Sequence, residues 1–403
     1  MNLAKSLRRA ASRNICLGHH RQYVIEANPP IRLTPTGVPR IIFSGIQPTG
    51  VPHLGNHLGA LRPWVELQNN SHWQDRNNFC VVDLHAITIR QDAEVLLRWR
   101  KESFASLLAV GLDPKKSTIF YQSDVPSHSE LMWLLSTVAS TGYLSRMTQW
   151  KSKLNLSENA SMEDESSREI LKLGLFSYPV LQAADILLYN TTHVPIGEDQ
   201  VQHLEFTRSL ANSFNKLYGD SSVLKLPQAI VSPAKRVMSL RNPAKKMSKS
   251  DPDENSRILI TDTPEEIRAK IKTAVTDSED GISYDVKKRP GISNLIDVLN
   301  HTSQIVSEGS AHTVKDPIEI AKWHKDLSKK AFKEMVADSV IASLDGIRER
   351  YQTILSSPHE IRDAAMLGRR KARQVGGAKI LEVYRAMGIG TTRPERKTSK
   401  GVD

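Results

Sequence analysis

Two stretches of this 403-residue sequence carry residue types suited to binding phosphate. The first, residues 40–61, reads RIIFSGIQPTGVPHLGNHLGAL: an apolar run typical of a buried strand, a turn rich in Gly and Pro, and an amphipathic helix beginning near Gly55. Such a connection binds anions because the free N–H groups and the dipole of the helix N-terminus point at the ligand. By itself, the stretch is equally compatible with a nucleotide site and with an ordinary strand-to-helix turn.

The second stretch, residues 246–250, reads KMSKS; it follows Lys245 and precedes Asp251-Pro252. Two lysines among small hydroxyl side chains suit a polyanion such as a triphosphate, because they supply positive charge and hydrogen-bond donors. A short lysine-containing loop is usually only a solvated turn. The function of this stretch therefore depends on the rest of the chain.

The elements that must position these stretches alternate between strand and helix. The predicted elements are strands at residues 41–43, 78–83, 117–122 and 194–196 and helices at 55–70, 92–110, 127–190 and 197–217. We expect the third helix to break at Tyr178-Pro179, because proline disfavours helix in the residue before it. Short apolar strands separated by helices predict an α/β fold with a doubly wound, Rossmann-like parallel sheet that binds ligands at the carboxyl ends of its strands.

From Thr263 onward the pattern changes to helix after helix. We predict helices at residues 264–275, 292–301, 316–355 in pieces, and 359–387. This change places a domain boundary near residue 263. The predicted parts of the chain are an N-terminal extension at 1–28, a catalytic domain at 38–262, an all-helical domain at 263–391 and a basic, disordered tail at 392–403.

The composition excludes several classes of protein. A chain of 403 residues with 39% hydrophobic residues can bury a large core. It contains no run of about 18 apolar residues, so we predict no membrane span. Cys16 and Cys80 lie far apart and form neither a disulfide framework nor a CxxC metal site, which fits a reducing compartment.

The net charge of +11 is concentrated at the two ends of the chain. Residues 1–25 contain no acid, and their basic residues are Lys5, Arg8, Arg9, Arg13 and Arg21. Apolar residues recur on one helical face of this segment, and it lacks a secretory hydrophobic core. The segment therefore predicts a mitochondrial transit peptide, removed before Pro29; the alternative is a disordered basic extension.

The motifs, taken together, resemble a known family. HLGN at 53–56 and KMSKS at 246–250 are similar to the two signatures of class I aminoacyl-tRNA synthetases. Four further stretches resemble tryptophanyl-tRNA synthetases in particular, in the family's motif order: FSGIQPTG at 43–50, VDLHAIT at 82–88, AADILLY at 183–189 and VPIGEDQ at 194–200. The resemblance runs from about residue 40 to about residue 390, and the basic N-terminus makes a mitochondrial form the best match.

This resemblance implies a two-step reaction. The carboxylate of L-tryptophan attacks the α-phosphorus of ATP, which is bound with Mg2+, and the tryptophanyl group of the resulting adenylate then moves to tRNA(Trp). The substrate carboxylate is itself the nucleophile, so catalysis rests on positioning and on neutralising the charge of the departing pyrophosphate. The resemblance also implies a homodimer in the mitochondrial matrix, with no membrane partner and no structural metal.

The resemblance assigns ATP-binding residues to both signatures and to the 194–200 stretch. They are Gln47, His53, Gly55, Asn56, Gly197, Glu198, Asp199, Val237, Lys246, Met247, Ser248, Lys249 and Ser250. Those expected to act in catalysis are Gln47, Asn56, Lys246 and Lys249. Because the first signature ends in Asn56 and not in a second histidine, no two-histidine clamp is assigned; Asn56 can still donate a hydrogen bond to a phosphate or ribose oxygen.

Selectivity for tryptophan needs a buried hydrogen-bond acceptor. The indole N–H is a donor only, and burying it unpaired costs about 1–3 kcal/mol. The family motif places the acceptor at Asp185, although an Asp in an apolar helix can also have a structural role. The expected tryptophan-binding residues are Asp185, Tyr178, Gln200, Phe43 and His85.

Some of the neighbouring residues permit other interpretations. Phe43 is equally compatible with a place in the core, and Gln182 stands where many bacterial relatives carry methionine, so the packing around the indole can differ. His128, His193 and His203 show no metal-ligand spacing with Cys or acids, and we interpret them as structural or surface residues.

The basic residues at 369–373 fit the anticodon-binding helices of the family, where Lys and Arg contact phosphates, or else form a merely solvated helix face. Two alternative functions remain at this stage. A tyrosyl-tRNA synthetase shares the fold and both signatures, but a phenol site needs partners for a hydroxyl group. A noncatalytic RNA-binding protein on a synthetase scaffold has no need of Asn56, Asp185, Lys246 and Lys249.

Overall fold

The computed structural model describes residues 39–147, 150–151, 154, 171–197, 200–219, 223–231, 237–303 and 316–389. The predicted transit peptide and basic tail lie outside these residues. So do Glu198 and Asp199, which the resemblance assigns to the ATP site.

A parallel sheet of five strands with the order β3-β2-β1-β4-β5 is the central element of the fold. Its strands are β1 (Ile41–Ile46), β2 (Arg76–Val81), β3 (Thr118–Tyr121), β4 (His193–Ile196) and β5 (Gln228–Val231). Helices connect them, and the order reverses beside β1, as it does in doubly wound folds. The predicted α/β fold is confirmed; β5, a short strand without a long apolar run, was not predicted.

The helices of the described chain lie mainly where helices were predicted, although the helix predicted at 127–190 is divided into several shorter ones. In chain order they are α1 (Leu54–Asn56), α2 (Arg62–Asn69), α3 (Asp83–Ala86), α4 (Ala93–Ala109), α5 (Ser127–Ser136), α6 (Thr141–Ser145), α7 (Leu173–Leu187), α8 (Val201–Tyr218), α9 (Pro264–Lys272), α10 (Pro290–Thr302), α11 (Pro317–Trp323), α12 (Lys329–Ser343), α13 (Ile347–Ser356) and α14 (Pro358–Met387). A π-helical turn, His57–Leu61, separates α1 from α2. Within the described residues, no helix is long and apolar enough to cross a membrane.

The predicted helix break at Tyr178-Pro179 is wrong, because α7 runs through Pro179. A proline in a helix interior costs about 3 kcal/mol. Every α7 residue from Leu175 onward is buried except Ser177 and Gln182, and each large apolar side chain that is buried contributes about 1.5–3 kcal/mol. Tertiary burial therefore outweighs the local preference.

The chain divides into two compact units whose limits differ from the predicted boundary near residue 263. The signature unit comprises the described parts of residues 51–66 and 233–352, and the sheet unit comprises those of 33–50, 67–232 and 353–403. Sequence order does not reveal this division, because the segment with the first signature and the C-terminal helix each belong to a unit made mostly from another part of the chain. The functional division into catalytic and anticodon-binding domains stays a prediction.

Buried apolar residues of several helices form the core of the signature unit. Helix α12 packs against α9 and α10, and α10 also packs against α11. Buried side chains of these helices include Ile267, Ile271, Ile292, Leu295, Ile296, Phe332, Val336 and Val340. The capping box at the start of α9, in which Thr263 and Glu266 bond each other's backbone N–H, fixes where this helix begins.

In the sheet unit, α14 packs directly on β3. Its buried residues Ala372, Ile380 and Val383 belong to the same core as Phe43, Cys80 and Phe120. Gly368 makes the closest approach: a Cβ at this position would lie 1.7 Å from the carbonyl oxygen of Ile119. Only glycine allows the backbones of helix and strand to come this near.

We predict opposite effects for two Gly→Ala substitutions in α14. Gly368→Ala lowers the free energy of unfolding by about 1–3 kcal/mol, because the added methyl group displaces the helix from β3. Gly377→Ala is the matched control: a Cβ there meets no atom within 4 Å, so the higher helix propensity of alanine raises stability by about 0.5–1 kcal/mol. Urea unfolding measures both; equal effects would contradict the packing of α14 on β3.

Candidate active site

The first signature is built as a helix cap. His53 is the N-cap of α1: its Nδ1 accepts the N–H of Asn56 at 3.2 Å, and Asn56 Oδ1 accepts the N–H of His53 at 3.1 Å. This reciprocal pair satisfies two of the free N–H groups at the helix start. Because the cap uses only Oδ1 of Asn56, its Nδ2 group can donate to a ligand.

His53 is held as a neutral imidazole. Burial, followed by the positive charges of Lys249, Lys246 and Arg257, lowers its pKa from 6.5 to about 3. Since Nδ1 accepts a hydrogen bond, the single proton of the neutral ring resides on Nε2. His53 and Asn56 therefore each offer an N–H donor at the start of α1.

Gly55 brings the first signature against Val237. A Cβ on Gly55 would lie 3.0 Å from Cε1 and 3.1 Å from Nδ1 of His53, and 3.5 Å from Cβ of Val237. A larger residue would therefore push at least one of these neighbours away. Val237 therefore lies beside His53 and Gly55 in the signature unit, although it is far from them in sequence.

The second signature begins on a short two-stranded ladder. Met247 N donates to Val237 O at 3.0 Å, Ser239 N donates to Lys245 O at 2.9 Å, and Met238 lies opposite Lys246. Side chains alternate across such a ladder. Met247 is accordingly buried, whereas the side chain of Lys246 is exposed.

Backbone hydrogen bonds also hold the first signature in the same unit. Leu54 N donates to Ile258 O at 2.8 Å, and Ile260 N donates to Pro52 O at 3.0 Å. The loop after Met247 is closed locally, because the hydroxyl groups of Ser248 and Ser250 lie 2.8 Å apart. The signature unit therefore joins two helix-cap donors and two lysines whose charges both act on His53, which is an arrangement suited to a polyanion.

Asp185, the predicted acceptor, lies in the sheet unit with 1% of its surface exposed. Its Oδ2 lies 2.7 Å from Nε2 of His85, and its Oδ1 accepts Nε2–H of Gln122 at 2.6 Å and lies 2.7 Å from Nδ1 of His128. A carboxylate can only accept hydrogen bonds, so both histidine nitrogens donate to it. Two oxygens offer about four acceptor positions, and these three contacts among the described residues leave about one.

The carboxyl group of Asp185 is held ionised despite its burial. Burial by itself raises its pKa, but the hydrogen bonds and charges of His128 and His85 outweigh this effect, so the pKa lies below its usual value. The side chain is therefore a charged acceptor with no proton of its own to donate.

Two residues of this network were not predicted. His128, which we interpreted as structural or surface, is completely buried and contacts Asp185, and its Nε2 lies 2.8 Å from the hydroxyl of Tyr189. Gln122, a buried residue directly after β3, also accepts the N–H of Leu84 at 3.1 Å. A polar side chain at the carboxyl end of a predicted strand is the signal that could have identified Gln122.

The remaining predicted tryptophan-binding residues lie around this network. The ring of Tyr178 lies 6.3 Å from that of His85, and its hydroxyl lies 2.9 Å from Nε2 of His203; burial raises the pKa of this hydroxyl, which keeps it protonated. Phe43 is buried and stacks on Tyr189 at 5.6 Å, so it has the core position that the sequence left open.

Three further residues have clear places in the sheet unit. Gln200 accepts a hydrogen bond from Gln182 at 3.2 Å. Gln47 directly follows β1, and Gly197 directly follows the neighbouring β4. Both therefore stand at the carboxyl edge of the sheet, where doubly wound folds bind ligands.

Two of the basic residues at 369–373 donate hydrogen bonds to backbone carbonyl groups, and the other two are exposed to solvent. In α14, Lys371 donates to Pro114 O at 3.0 Å and Arg373 donates to Asp124 O at 2.6 Å, while Arg369 and Arg370 are exposed. Across the residues with a described position, no three His, Cys, Asp or Glu side chains are grouped so that they could hold a metal ion.

A buried histidine in the signature unit predicts a pH dependence of stability. Burial, followed by the charge of Arg62, lowers the pKa of His57 from 6.5 to about 3. Below about pH 6.5 the unfolded chain therefore binds a proton that the folded chain does not. The free energy of unfolding consequently decreases as the pH is lowered. The substitution His57→Gln removes this titrating imidazole. Between about pH 6 and 4.5 it should reduce the slope of the unfolding free energy against pH by about 1.4 kcal/mol per pH unit. Urea unfolding at several pH values tests this; identical slopes would contradict it.

The comparisons with known proteins agree with this geometry. Residues 36–345 match the family described as tRNA synthetases class I (W and Y). The mitochondrial tryptophan–tRNA ligase of Saccharomyces cerevisiae is 45% identical over 353 residues, which cover 86% of this chain and 90% of that protein.

Two solved structures extend the similarity to the fold. The tryptophanyl-tRNA synthetase of Mycoplasma pneumoniae is 31% identical with a TM-score of 0.74, and the match covers 88% of this chain and 99% of that one. The tryptophanyl-tRNA synthetase of Campylobacter jejuni, solved with ADP and tryptophan, is 29% identical with a TM-score of 0.66, covering 87% and 100%. The chain therefore belongs to the class I tRNA synthetases, and within them to the tryptophanyl-tRNA synthetases.

Proposed function

We propose that this protein is a tryptophan–tRNA ligase of the mitochondrial matrix, which activates L-tryptophan with ATP and transfers it to tRNA(Trp). The observation that carries the proposal is the ionised, buried carboxylate of Asp185, with about one acceptor position left. One acceptor position matches the single N–H of an indole ring. The compartment is supported by the name of the yeast relative and by the basic residues 1–25.

The tryptophan ring is bound in the sheet unit. Asp185 accepts the indole N–H, and His85, Gln122 and His128 keep its carboxylate in one orientation. Tyr178 and Gln200 line the pocket or contact the amino group, and Phe43 supports the network from the core through Tyr189. The Campylobacter structure with bound tryptophan and ADP supports a tryptophan site and a nucleotide site in this fold.

The phosphates of ATP are bound in the signature unit. His53 and Asn56 donate N–H groups, and Lys246 and Lys249 neutralise the charge that develops as pyrophosphate leaves. As the resemblance implies, Val237 contacts the adenine, Gly197, Glu198 and Asp199 hold the ribose, and Gln47 is a further ATP-binding residue. Mg2+ enters with ATP on the phosphate oxygens. No protein nucleophile is required, because the tryptophan carboxylate attacks the α-phosphorus.

The geometry favours tryptophan over tyrosine. A phenol hydroxyl both donates and accepts, so a tyrosine site needs a donor as well as an acceptor. The ionised carboxylate of Asp185 offers only acceptors, and the donors that surround it already point at Asp185. We further propose that the protein is a homodimer, as the resemblance implies; size-exclusion chromatography with light scattering tests that proposal.

The test of the function is ATP–pyrophosphate exchange with each amino acid. We expect exchange that depends on tryptophan and is at least about 100-fold slower with tyrosine. The phenol hydroxyl of tyrosine would be buried without a hydrogen-bond donor to pair with its oxygen. Exchange with tyrosine alone would contradict the assignment. Absence of exchange with either amino acid would favour a noncatalytic RNA-binding protein.

A substitution separates the proposed role of Asp185 from a structural one. Asp185→Asn should lower kcat/KM for tryptophan by about 10- to 150-fold, the value of a hydrogen bond to a charged group, while the KM for ATP changes by less than about threefold. The matched control is Asp83→Asn: Asp83 is also buried and pairs with Ser123 and Arg100. This control should lower stability without a selective loss for tryptophan. Equal losses in both variants would make Asp185 a structural residue.

A further inference from the structure

Asn294, in helix α10, holds a single backbone position with both halves of its side-chain amide. Its Oδ1 accepts the N–H of Met238 at 2.9 Å, and its Nδ2 donates to the carbonyl oxygen of Met238 at 3.0 Å. The residue is 4% exposed. A buried side chain that satisfies both backbone groups of one residue fixes that residue in distance and in orientation.

Met238 is the centre of the ladder that begins the second signature. It lies opposite Lys246, and the backbone hydrogen bonds on either side of it join Val237 to Met247 and Ser239 to Lys245. The Asn294 clamp therefore acts one residue from Val237 and directly across from the first lysine of KMSKS. Asn294 belongs to neither signature, and it lies 48 positions after Lys246 in the printed sequence.

The helix that carries Asn294 is itself fixed against the same segment. A Cβ at Gly291 would lie 2.2 Å from the carbonyl oxygen of Val275, so the backbones of α10 and residue 275 are in close contact. Val275 N in turn donates to Leu240 O at 2.8 Å. The residues beside Asn294 in α10, Ser293 and Leu295, are buried. The clamp thus joins the ladder to a helix whose backbone packs closely against residue 275.

We propose that Asn294 is a positioning residue for ATP activation: it sets the placement of the Val237–Ser239 strand and, through the ladder, of Lys246 and Lys249. This inference rests on the proposed function of the KMSKS lysines. Asn294 does not touch the substrate. Its effect arises because charge neutralisation by a lysine depends steeply on where the ammonium group is held.

Asparagine is the residue type that this role requires. The N–H of Met238 needs an acceptor and its carbonyl oxygen needs a donor, and a side-chain amide supplies both at once. An aspartate keeps the acceptor but places a carboxylate oxygen opposite the carbonyl of Met238. An alanine removes both hydrogen bonds.

The sheet unit offers a matched control. Asn215 makes the same two-bond clamp on Leu224: its Nδ2 donates to Leu224 O at 2.8 Å, and its Oδ1 accepts Leu224 N at 3.0 Å. It is also buried, with 6% exposed. Both groups that this clamp holds belong to Leu224, which lies in neither signature. A loss of stability from removing such a clamp should therefore appear at both positions, whereas a loss of kcat/KM for ATP should appear only at Asn294.

The experiment compares Asn294→Asp with Asn215→Asp in the full chain, by steady-state ATP–pyrophosphate exchange with tryptophan and by urea unfolding. Asn294→Asp should lower kcat/KM for ATP by about 10- to 100-fold, as small displacements of positioning groups do, and change the KM for tryptophan by less than about twofold. Asn215→Asp should leave both parameters within about twofold of the unsubstituted protein. If either aspartate variant fails to fold, Asn294→Ala and Asn215→Ala replace the pair.

Equal kinetic losses at the two positions, or a loss at Asn294 that affects tryptophan and ATP alike, would overturn the inference. Failure of the proposed function gives a different result, because the unsubstituted protein itself then shows no exchange with tryptophan. In that event ATP binding, measured by calorimetry on the same variants, decides the matter. Weaker ATP binding in Asn294→Asp alone supports the clamp, and unchanged binding overturns it.

Discussion

The structure around β1–β3 depends on keeping one buried carboxylate charged. Removing an ion from water costs several kcal/mol even in a real protein interior, and Asp185 is 1% exposed. Three donors, from His85, Gln122 and His128, compensate this cost. Each comes from a different element, so the carboxylate, near the C-terminal end of the core helix α7, ties together α3, the residue after β3 and the start of α5.

The donors are themselves held in place, which makes the site rigid. Gln122 uses its other amide atom to accept the N–H of Leu84, and His128 uses its second nitrogen on Tyr189, which in turn stacks on Phe43. An acceptor held in this way needs little rearrangement of its surroundings when it binds the N–H group of a ligand.

In the signature unit, hydrogen-bond donors are likewise held in place before a ligand binds. The capping box of His53 and Asn56 fixes the N-terminus of α1, and burial together with the nearby lysines keeps His53 neutral. The ladder from Val237 to Met247 then holds the start of KMSKS at a set position. Fixed N–H groups and lysines, arranged before the ligand binds, are what phosphoryl chemistry without a protein nucleophile requires.

Sequence reasoning identified those parts of the structure that local patterns encode. The alternation of apolar strands and helices predicted the parallel sheet, which the structure confirms. The motifs containing Asp185, Gly55 and KMSKS predicted site residues whose roles stay predictions. It did not identify His128 or Asn294, because their partners are distant in sequence and only the tertiary fold brings them together. It also misjudged Pro179, where burial of α7 outweighs the local cost of proline.

The most direct test of the account is the affinity of the protein for tryptophan and for its analogue with sulfur in place of the indole N–H, measured by calorimetry. The analogue keeps the shape of the ring and lacks only the donor that Asp185 is proposed to accept. The account predicts that it binds about 10- to 150-fold more weakly than tryptophan, since a hydrogen bond to a charged partner is lost. Equal affinities would show that the buried carboxylate does not read the indole N–H, and would contradict the account.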